Sequence, residues 1–477
     1  MLLLLPAVPS AKAESSAAED LTNRCSFDFG TYRDAKNLVL HDAKKYQTFH
    51  ANASFSLTWE EPLDGARLCL QWQTLPEKVV LFQYDANGAL LRRDTLPSYY
   101  ETVTPLLSDA RSALVQAGEQ GMRLLSASVY GKGDLPDPYH EWQETPDRLD
   151  YLLISTHPDD DVLYLGSVIP NYGAERGYVG TVVYVTASSR GRVSEAENGA
   201  WAMGLRYRPV FLGMQDVGRY VSKKQKEAFP YQELVRNFVR LYRSLHPVVV
   251  FAQDLKGEYG HWQHKLTAKA SREAFALAAD PSYDPESAER YGTWQVQKLF
   301  LHLYKENKLL IDAHTPLTFF GGASAYQVAV RAYKKHVSQQ IYHFKVTRDD
   351  KRYAFNRFGM AEGVVPVGED VFDNIDETLL SDYVPPTPQP TERPTQDPTP
   401  DATKEPVSSA AEPTPKPTDA PVSTVSDTPQ PEQKPQSGNP QMLVWIAAVT
   451  AALAIVVWIA AFLFSKGYLK RIQQGRS

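Results

Sequence analysis

Between residues 21 and 137 the apolar positions come in short runs with polar residues interleaved: FSLTWEE at 55–61, ARLCLQW at 66–72, VVLFQYD at 79–85, ALLRRDTL at 89–96 and MRLLSASVYG at 122–131. Runs of this length and alternation predict strands. Asn87-Gly88, between two of them, supplies the positive φ angles of a hairpin turn. Residues 21–137 are therefore expected to form an all-β sandwich. After Leu135-Pro136-Asp137-Pro138 the pattern changes. Apolar runs at 149–155, 181–185, 209–212 and 247–251 are nearly continuous, as strands buried on both faces are. A helix is predicted over Tyr231–Leu245, where Leu234, Val235, Phe238, Leu241, Tyr242 and Leu245 make one stripe. Strands alternating with helices predict an α/β domain over 147–370, with a Rossmann-like, mostly parallel sheet and helices on both faces.

The rest of the chain reads differently. Sixteen of its thirty-four prolines fall between Pro385 and Pro440, and residues 384–441 hold almost no large apolar side chain. Such a tract cannot bury enough surface to offset the entropy of ordering, so a disordered Pro/Thr-rich stalk is expected. Residues 442–465 carry no charge and, as a helix, are long enough to cross a hydrocarbon core of about 30 Å. The tail 466–477 has Lys466, Lys470, Arg471 and Arg476 and no acid. The positive-inside rule makes that tail cytoplasmic, and the folded domains of a single-pass membrane protein then lie outside the cell. Residues 1–20, with a short apolar run and Ala11-Lys12-Ala13, read as a signal-peptide remnant. An exported chain permits a Cys25–Cys69 disulfide, and Asn52-Ala53-Ser54 fits a glycosylation sequon.

A length of 477 residues calls for at least two folded units. Fifty Lys and Arg against fifty-six Asp and Glu leave a net charge of −6, with no basic field to hold a phosphate backbone, which excludes nucleic acid as a partner. Two cysteines are too few for a thiolate cluster, so any metal must be held by histidine and carboxylate.

In a doubly wound sheet, ligands sit beyond the carboxyl ends of the strands. Directly after the first strand of the α/β half comes Thr156-His157-Pro158-Asp159-Asp160-Asp161. Three crowded carboxylates repel one another unless a cation joins them. From this segment alone, a metal site and a solvated acidic loop account for it equally. A second cluster follows the strand at 247–251, where Gly260-His261-Trp262-Gln263-His264 brings two more histidines. His157, Asp160 and His264 would form a His₂-carboxylate set with one position open, the pattern of catalytic zinc. Asp159, beside them, fits a general base that takes a proton from water attacking a carbonyl.

The Thr-His-Pro-Asp-Asp and Gly-His-x-x-His elements resemble the PIG-L/LmbE family of zinc-dependent N-acetylglucosamine deacetylases. So do Arg192-Val193-Ser194-Glu195, Phe211-Leu212-Gly213-x-x-Asp216 and Lys334-x-His336-x-Ser338-Gln339. The resemblance implies zinc on His157, Asp160 and His264, with Asp159 as base. It further implies His261 serving the oxyanion or the departing amine, and Arg192 facing the substrate. Two positions depart from the family's pattern. Asp161 replaces its usual Glu, and Trp262-Gln263 stands where a Pro-Asp pair is common; Trp262 either stacks on a sugar or fills a hydrophobic gap. The N-terminal half resembles galactose-binding-like, carbohydrate-binding modules. The expectation is an exported, membrane-anchored N-acetyl sugar deacetylase acting on a glycan. The alternatives are a non-catalytic glycan-binding surface protein and an amidase acting on a non-acetyl amide of an amino-sugar conjugate.

Overall fold

Alternation along the short strands builds the β-rich half. A computed structural model describes residues 16–31, 46–186, 189–218 and 221–381. Its first nine strands are β1 (Ser26–Asp28), β2 (Gln47–Phe49), β3 (Ser54–Thr58), β4 (Arg67–Trp72), β5 (Val80–Tyr84), β6 (Leu90–Thr95), β7 (Glu101–Pro105), β8 (Ser112–Gln116) and β9 (Met122–Tyr130). They form two antiparallel sheets, ordered β1-β3-β8-β5-β6 and β2-β9-β4-β7. Phe55 and Leu57 of β3, Leu81 of β5 and Val115 of β8 meet Leu68, Leu70 and Trp72 of β4 and Val129 of β9 in one core. Trp72 is wholly buried, and its indole N–H donates to Thr102 Oγ1 at 3.0 Å. The predicted hairpin joins β5 to β6, with Gly88 at φ 80° and the Asp85 carboxylate accepting from the Asn87 and Ala89 amides. The sequence reading missed β1, β2, β7 and β8.

The disulfide does not form. Cys69 lies on the far face of β4 with Tyr130 and Tyr139, whereas Cys25 packs against the main core, and both thiols are free.

The α/β half carries a seven-stranded sheet. Its strands are β10 (Tyr151–Ser155), β11 (Gly180–Thr186), β12 (Val210–Met214), β13 (Val249–Ala252), β14 (Lys298–His302), β15 (Lys308–Leu310) and, after a two-stranded ribbon of β16 (Pro316–Leu317) and β17 (Ala323–Ser324), β18 (Arg357–Gly363). The order is β12-β11-β10-β13-β14-β18-β15; the first five strands run parallel and β18 antiparallel to its neighbours. Helices α1 (Asp160–Tyr164), α2 (Arg190–Ala202), α3 (Lys223–Ala228), α4 (Tyr231–Leu245), α5 (Trp262–Leu277), α6 (Pro285–Tyr291) and α7 (Ala325–Tyr333) connect them. Along β10, Tyr151 and Leu153 point into the layer of α1, α2 and α7, and Leu152 and Ile154 into the layer of α4 and α5. Side chains on successive strand residues take opposite faces, so a continuous apolar run is what two covered faces require. The chain winds outward from β10 to β12 and then returns to β13 on the other side, so the strand order reverses between β10 and β13.

Among the described residues no helix is long and apolar enough to cross a membrane. Of the signal-like segment at 1–20, residues 1–15 lie outside the described residues, as do the stalk at 384–441, the span at 442–465 and the tail.

Glu101 of β7 joins the two halves. Its Oε1 accepts from Arg190 Nη2 at 2.9 Å and Ser194 Oγ at 2.7 Å, both on α2, while among the described residues Oε2 has no partner. Burial, then the repulsion of Glu197, push this carboxyl up to about 7 despite Arg190 and Ser194. An acid raised on folding stabilises fully below its unfolded value of about 4.3, and that contribution is lost as pH rises through the folded value. Relative to Glu101→Gln, the wild type should therefore lose up to about 3 kcal/mol between pH 4.5 and 7.5. Urea unfolding of both proteins across that window checks it, and parallel stability curves would remove the assignment.

Candidate active site

The reversal of strand order opens a crevice at the carboxyl ends of β10 and β13. Thr156 fastens its floor. Its hydroxyl reaches Gln253 Oε1, just past β13, and Thr267 Oγ1 of α5 at 2.7 Å, and its amide also donates to Gln253 at 3.1 Å. The chain then turns through Asp159, held at φ 126° and ψ −25°, before α1 begins at Asp160. A non-glycine residue there is strained by about 1–3 kcal/mol, and such strain gathers at functional sites.

Three sequence-predicted residues converge. His157 Nδ1 lies 3.0 Å from Asp160 Oδ2 and 3.1 Å from His264 Nε2, and His264 Nε2 lies 3.1 Å from Asp160 Oδ2. All three side chains are buried. Atoms bound to one zinc at about 2.0–2.1 Å stand roughly 3.0–3.4 Å apart, so the triangle has the size of a metal's ligand set. The imidazole of His261 adds a wider arrangement, because nitrogens of His157, His261 and His264 all lie within 4.8 Å of one another. The tighter triangle with Asp160 fits a single ion better.

The outer partners of both histidines aim their lone pairs inward. His264 Nδ1 meets Glu258 Oε2 at 2.7 Å, which leaves Nε2 facing the triangle. His157 Nε2 faces Gln263 Oε1 at 3.4 Å, and Gln263 is fixed in turn by its Nε2 donating to the Gln215 carbonyl at 2.8 Å and its Oε1 accepting from the Val217 amide at 3.2 Å. Glu258 Oε1 also meets His302 Nδ1 at 2.6 Å, and His302 Nε2 donates to the Ala354 carbonyl at 3.0 Å. Burial alone would raise Glu258, but hydrogen bonds from His264 and His302 hold it down to about 2. Burial would lower His264, yet Asp160 and Glu258 lift it to about 10, so the field here favours positive charge. Glu258, His302 and the orienting role of Gln263 were not assigned from sequence.

Asp159 stands beside the triangle. Its Oδ1 accepts from Arg192 Nη2 at 3.1 Å, and Arg192, on α2, also donates to the Pro158 carbonyl and to Glu195 at 3.2 Å. Burial and then Asp160 hold the Asp159 carboxyl well above the usual range, against the pull of Arg192. Asp161 Oδ1 accepts the Asp159 amide at 3.3 Å and its Oδ2 accepts from Tyr184 at 2.8 Å, so the shorter side chain braces the strained turn. His261 lies edge-on to His157, with ring centroids 4.7 Å apart, and its buried Nδ1 has no partner among the described residues. Trp262 opens α5, is half-buried and packs edge-on to Phe229 at 5.3 Å against the α4 layer.

Residues 152–275 match the PIG-L family model, described as GlcNAc-PI de-N-acetylase. Over 187 residues the chain is 27% identical to 1D-myo-inositol 2-acetamido-2-deoxy-alpha-D-glucopyranoside deacetylase 1 of Catenulispora acidiphila, covering 33% of this chain and 57% of that protein. It is 30% identical over 185 residues to the deacetylase of the same substrate name from Geodermatophilus obscurus, covering 33% and 61%. The chain thus spans about three-fifths of the length of these curated relatives. Among solved structures, N,N'-diacetylchitobiose deacetylase from Pyrococcus horikoshii aligns at 19% identity over 40% of this chain and 70% of that one, with a TM-score of 0.32.

Proposed function

We propose, from a PIG-L family domain over residues 152–275, that the protein is a zinc-dependent deacetylase hydrolysing the N-acetyl group of N-acetylglucosamine-type sugars or glycoconjugates. The observation that carries this reading is the meeting of His157 Nδ1, Asp160 Oδ2 and His264 Nε2, with the Asp159 carboxylate and the His261 imidazole flanking them. His157, Asp160 and His264 would hold the ion. When bound, zinc supplies Lewis-acid polarisation of the acyl group and acidifies water. Asp159 accepts a proton from the attacking water, its carboxylate steadied by Arg192. His261, with a ring nitrogen free of protein partners among the described residues, serves the acyl oxygen as it gains charge or the amine as it leaves. Glu258 and Gln263 keep the two ligand imidazoles turned inward.

The reading extends to the rest of the chain. The β-rich unit at 21–137 would help hold the glycan, and the uncharged run at 442–465 with its basic flank would anchor the protein in the cell membrane with the folded domains outside. Metal analysis of the purified chain, followed by mass spectrometry after incubation with chitotetraose, tests the central claim. The expected result is about one zinc per chain and stepwise loss of acetyl groups. Metal-loaded protein that removes acetyl neither from chitotetraose nor from a charged N-acetylglucosamine-containing oligosaccharide would overturn it.

A further inference from the structure

A cleft of about 1040 Å³ lies on the same edge of the sheet as the candidate active site, beyond β14 and β15. Its wall begins at Leu303, the residue after His302, whose ring meets Glu258 beneath the histidine pair. Neighbouring strands stand about 4.8 Å apart, so β14 lies only about 10 Å from the strand that presents His157. Tyr353, also in the wall, packs edge-on to Tyr164 at 6.3 Å, and Tyr164 packs on His264 at 6.2 Å. The cleft therefore shares the sheet edge of the site, with Tyr164 and Tyr353 packed between the two. At the upper end of pocket volumes of about 300–1,000 Å³, it exceeds what one small group needs.

Its lining is chemically one-sided. Lys305, Lys308, Lys351, Arg352 and Arg357 face two carboxylates, Asp349 and Asp350, a surplus of three positive charges on a chain whose net charge is −6. Asp349 is already taken by His314 at 3.0 Å, and among the described residues no ion pair occupies any of the five cations. All five cations are exposed, and together they set a positive field over the cleft that draws an anion in from solvent. Tyr304 and Tyr353 line the same cleft, and the Arg352 guanidinium lies 4.8 Å from the Tyr353 ring. Aromatic faces beside Lys and Arg are the two surfaces that a charged sugar needs, one for the pyranose ring and one for its anion. Leu303, Asp349 and Tyr353 are also held at φ 56°, 62° and 59°. Left-handed backbone at bulky residues costs energy, and here it sets the contour of the cleft.

We infer that this cleft is a subsite for an acidic stretch of the glycan, so that the favoured substrate is an N-acetylated oligosaccharide bearing carboxylate or phosphate groups one or more sugars away from the acetamide that is cut. The inference rests on the deacetylase reading and adds the substrate's charge to it.

The test uses the full 477-residue chain. Hyaluronan tetrasaccharide, in which carboxylated sugars alternate with N-acetylglucosamine, is compared as substrate with the uncharged chitotetraose. The triple variant Lys305→Glu/Lys351→Glu/Arg352→Glu should raise the KM for hyaluronan tetrasaccharide relative to that for chitotetraose at least about tenfold, the scale of two or three surface charge contacts. Added salt should move the wild type the same way. The neutral variant Lys305→Gln/Lys351→Gln/Arg352→Gln should give an intermediate ratio and guards against misfolding of the reversed one. A ratio unmoved by either variant overturns the subsite. If the wild type cuts neither oligosaccharide, the deacetylase reading fails, and the cleft is then judged by calorimetric titration without turnover. In that titration, binding of hyaluronan tetrasaccharide or of N-acetylglucosamine 1-phosphate that is lost on charge reversal supports the subsite, and the tighter of the two names the anion. Binding of neither overturns it.

Discussion

Asp159→Ala should lower acetate release by about 10²–10⁴-fold while zinc content stays at the wild-type level. The separation of the two readouts follows from geometry. Asp159 sits outside the triangle of His157, Asp160 and His264 and spends its Oδ1 on Arg192, so its loss removes the proton acceptor and leaves the ligand atoms in place. Arg192 keeps Glu195 at 3.2 Å and Ser338 at 3.3 Å, so truncation does not strand a buried cation. The backbone adds a second signature. At φ 126° Asp159 carries strain that glycine escapes, and its carboxyl is crowded by Asp160 and Asp161. Asp159→Gly should therefore be as inactive as Asp159→Ala yet more stable than the wild type by about 1–3 kcal/mol, the exchange of stability for function expected where strain serves chemistry. Acetate assays, metal analysis and urea unfolding on the two variants check this. An active Asp159→Ala would assign the base elsewhere, and zinc lost with the activity would make Asp159 a ligand.

The residues that carry the triangle were legible in the sequence because the doubly wound pattern announces where chemistry goes. A buried apolar run ending in Thr156-His157 marks a strand's carboxyl end, and a second run ending before Gly260-His261 marks another, so the two clusters had to share an edge. The strand order that makes them adjacent was not in the pattern. Glu258 went unassigned because nothing local sets it apart. It lies six residues before His264 and reaches it only because the chain turns through Gly257 at φ 67° and Tyr259 at φ 44°. His302 is 44 residues further on, and its one signal is a histidine closing the apolar run of β14. Gln263 read as a departure from the family's carboxylate, whereas its side chain lies against the outer nitrogen of His157. In the β-rich half the missed strands are short and rich in Ser, Thr and Gln, as in β7 and β8, where the period-2 signal rests on two apolar residues at most. Pairing on both sides, not local propensity, makes a strand of β8, which lies between β3 and β5.

Glu258→Ala should weaken zinc binding about 10–100-fold and destabilise the fold by roughly 3–5 kcal/mol, the two effects arising from one buried carboxylate. Both of its oxygens are committed, Oε2 to His264 and Oε1 to His302 and to the Asp254 amide at 3.1 Å. Without it His264 loses the acceptor that fixes which nitrogen points at the triangle, and two buried imidazole N–H groups and the part-buried Asp254 amide lose the acceptor of their protons. Glu258→Gln separates the two effects. The amide keeps the volume and one acceptor, so most of the stability should return. Its NH₂ group, however, must face one of the two histidines, where it opposes an N–H instead of accepting from it. If the oxygen turns to His302, His264 is met by an N–H, its inner nitrogen is no longer held free, and zinc affinity stays low. If the oxygen turns to His264, affinity recovers and the cost falls on His302, which touches the Ala354 carbonyl and not the triangle. Competition with a chelator and urea unfolding, run on both variants, decide between these orientations. Wild-type affinity in Glu258→Ala would show that the ligand histidines orient themselves, and would remove Glu258 from the site.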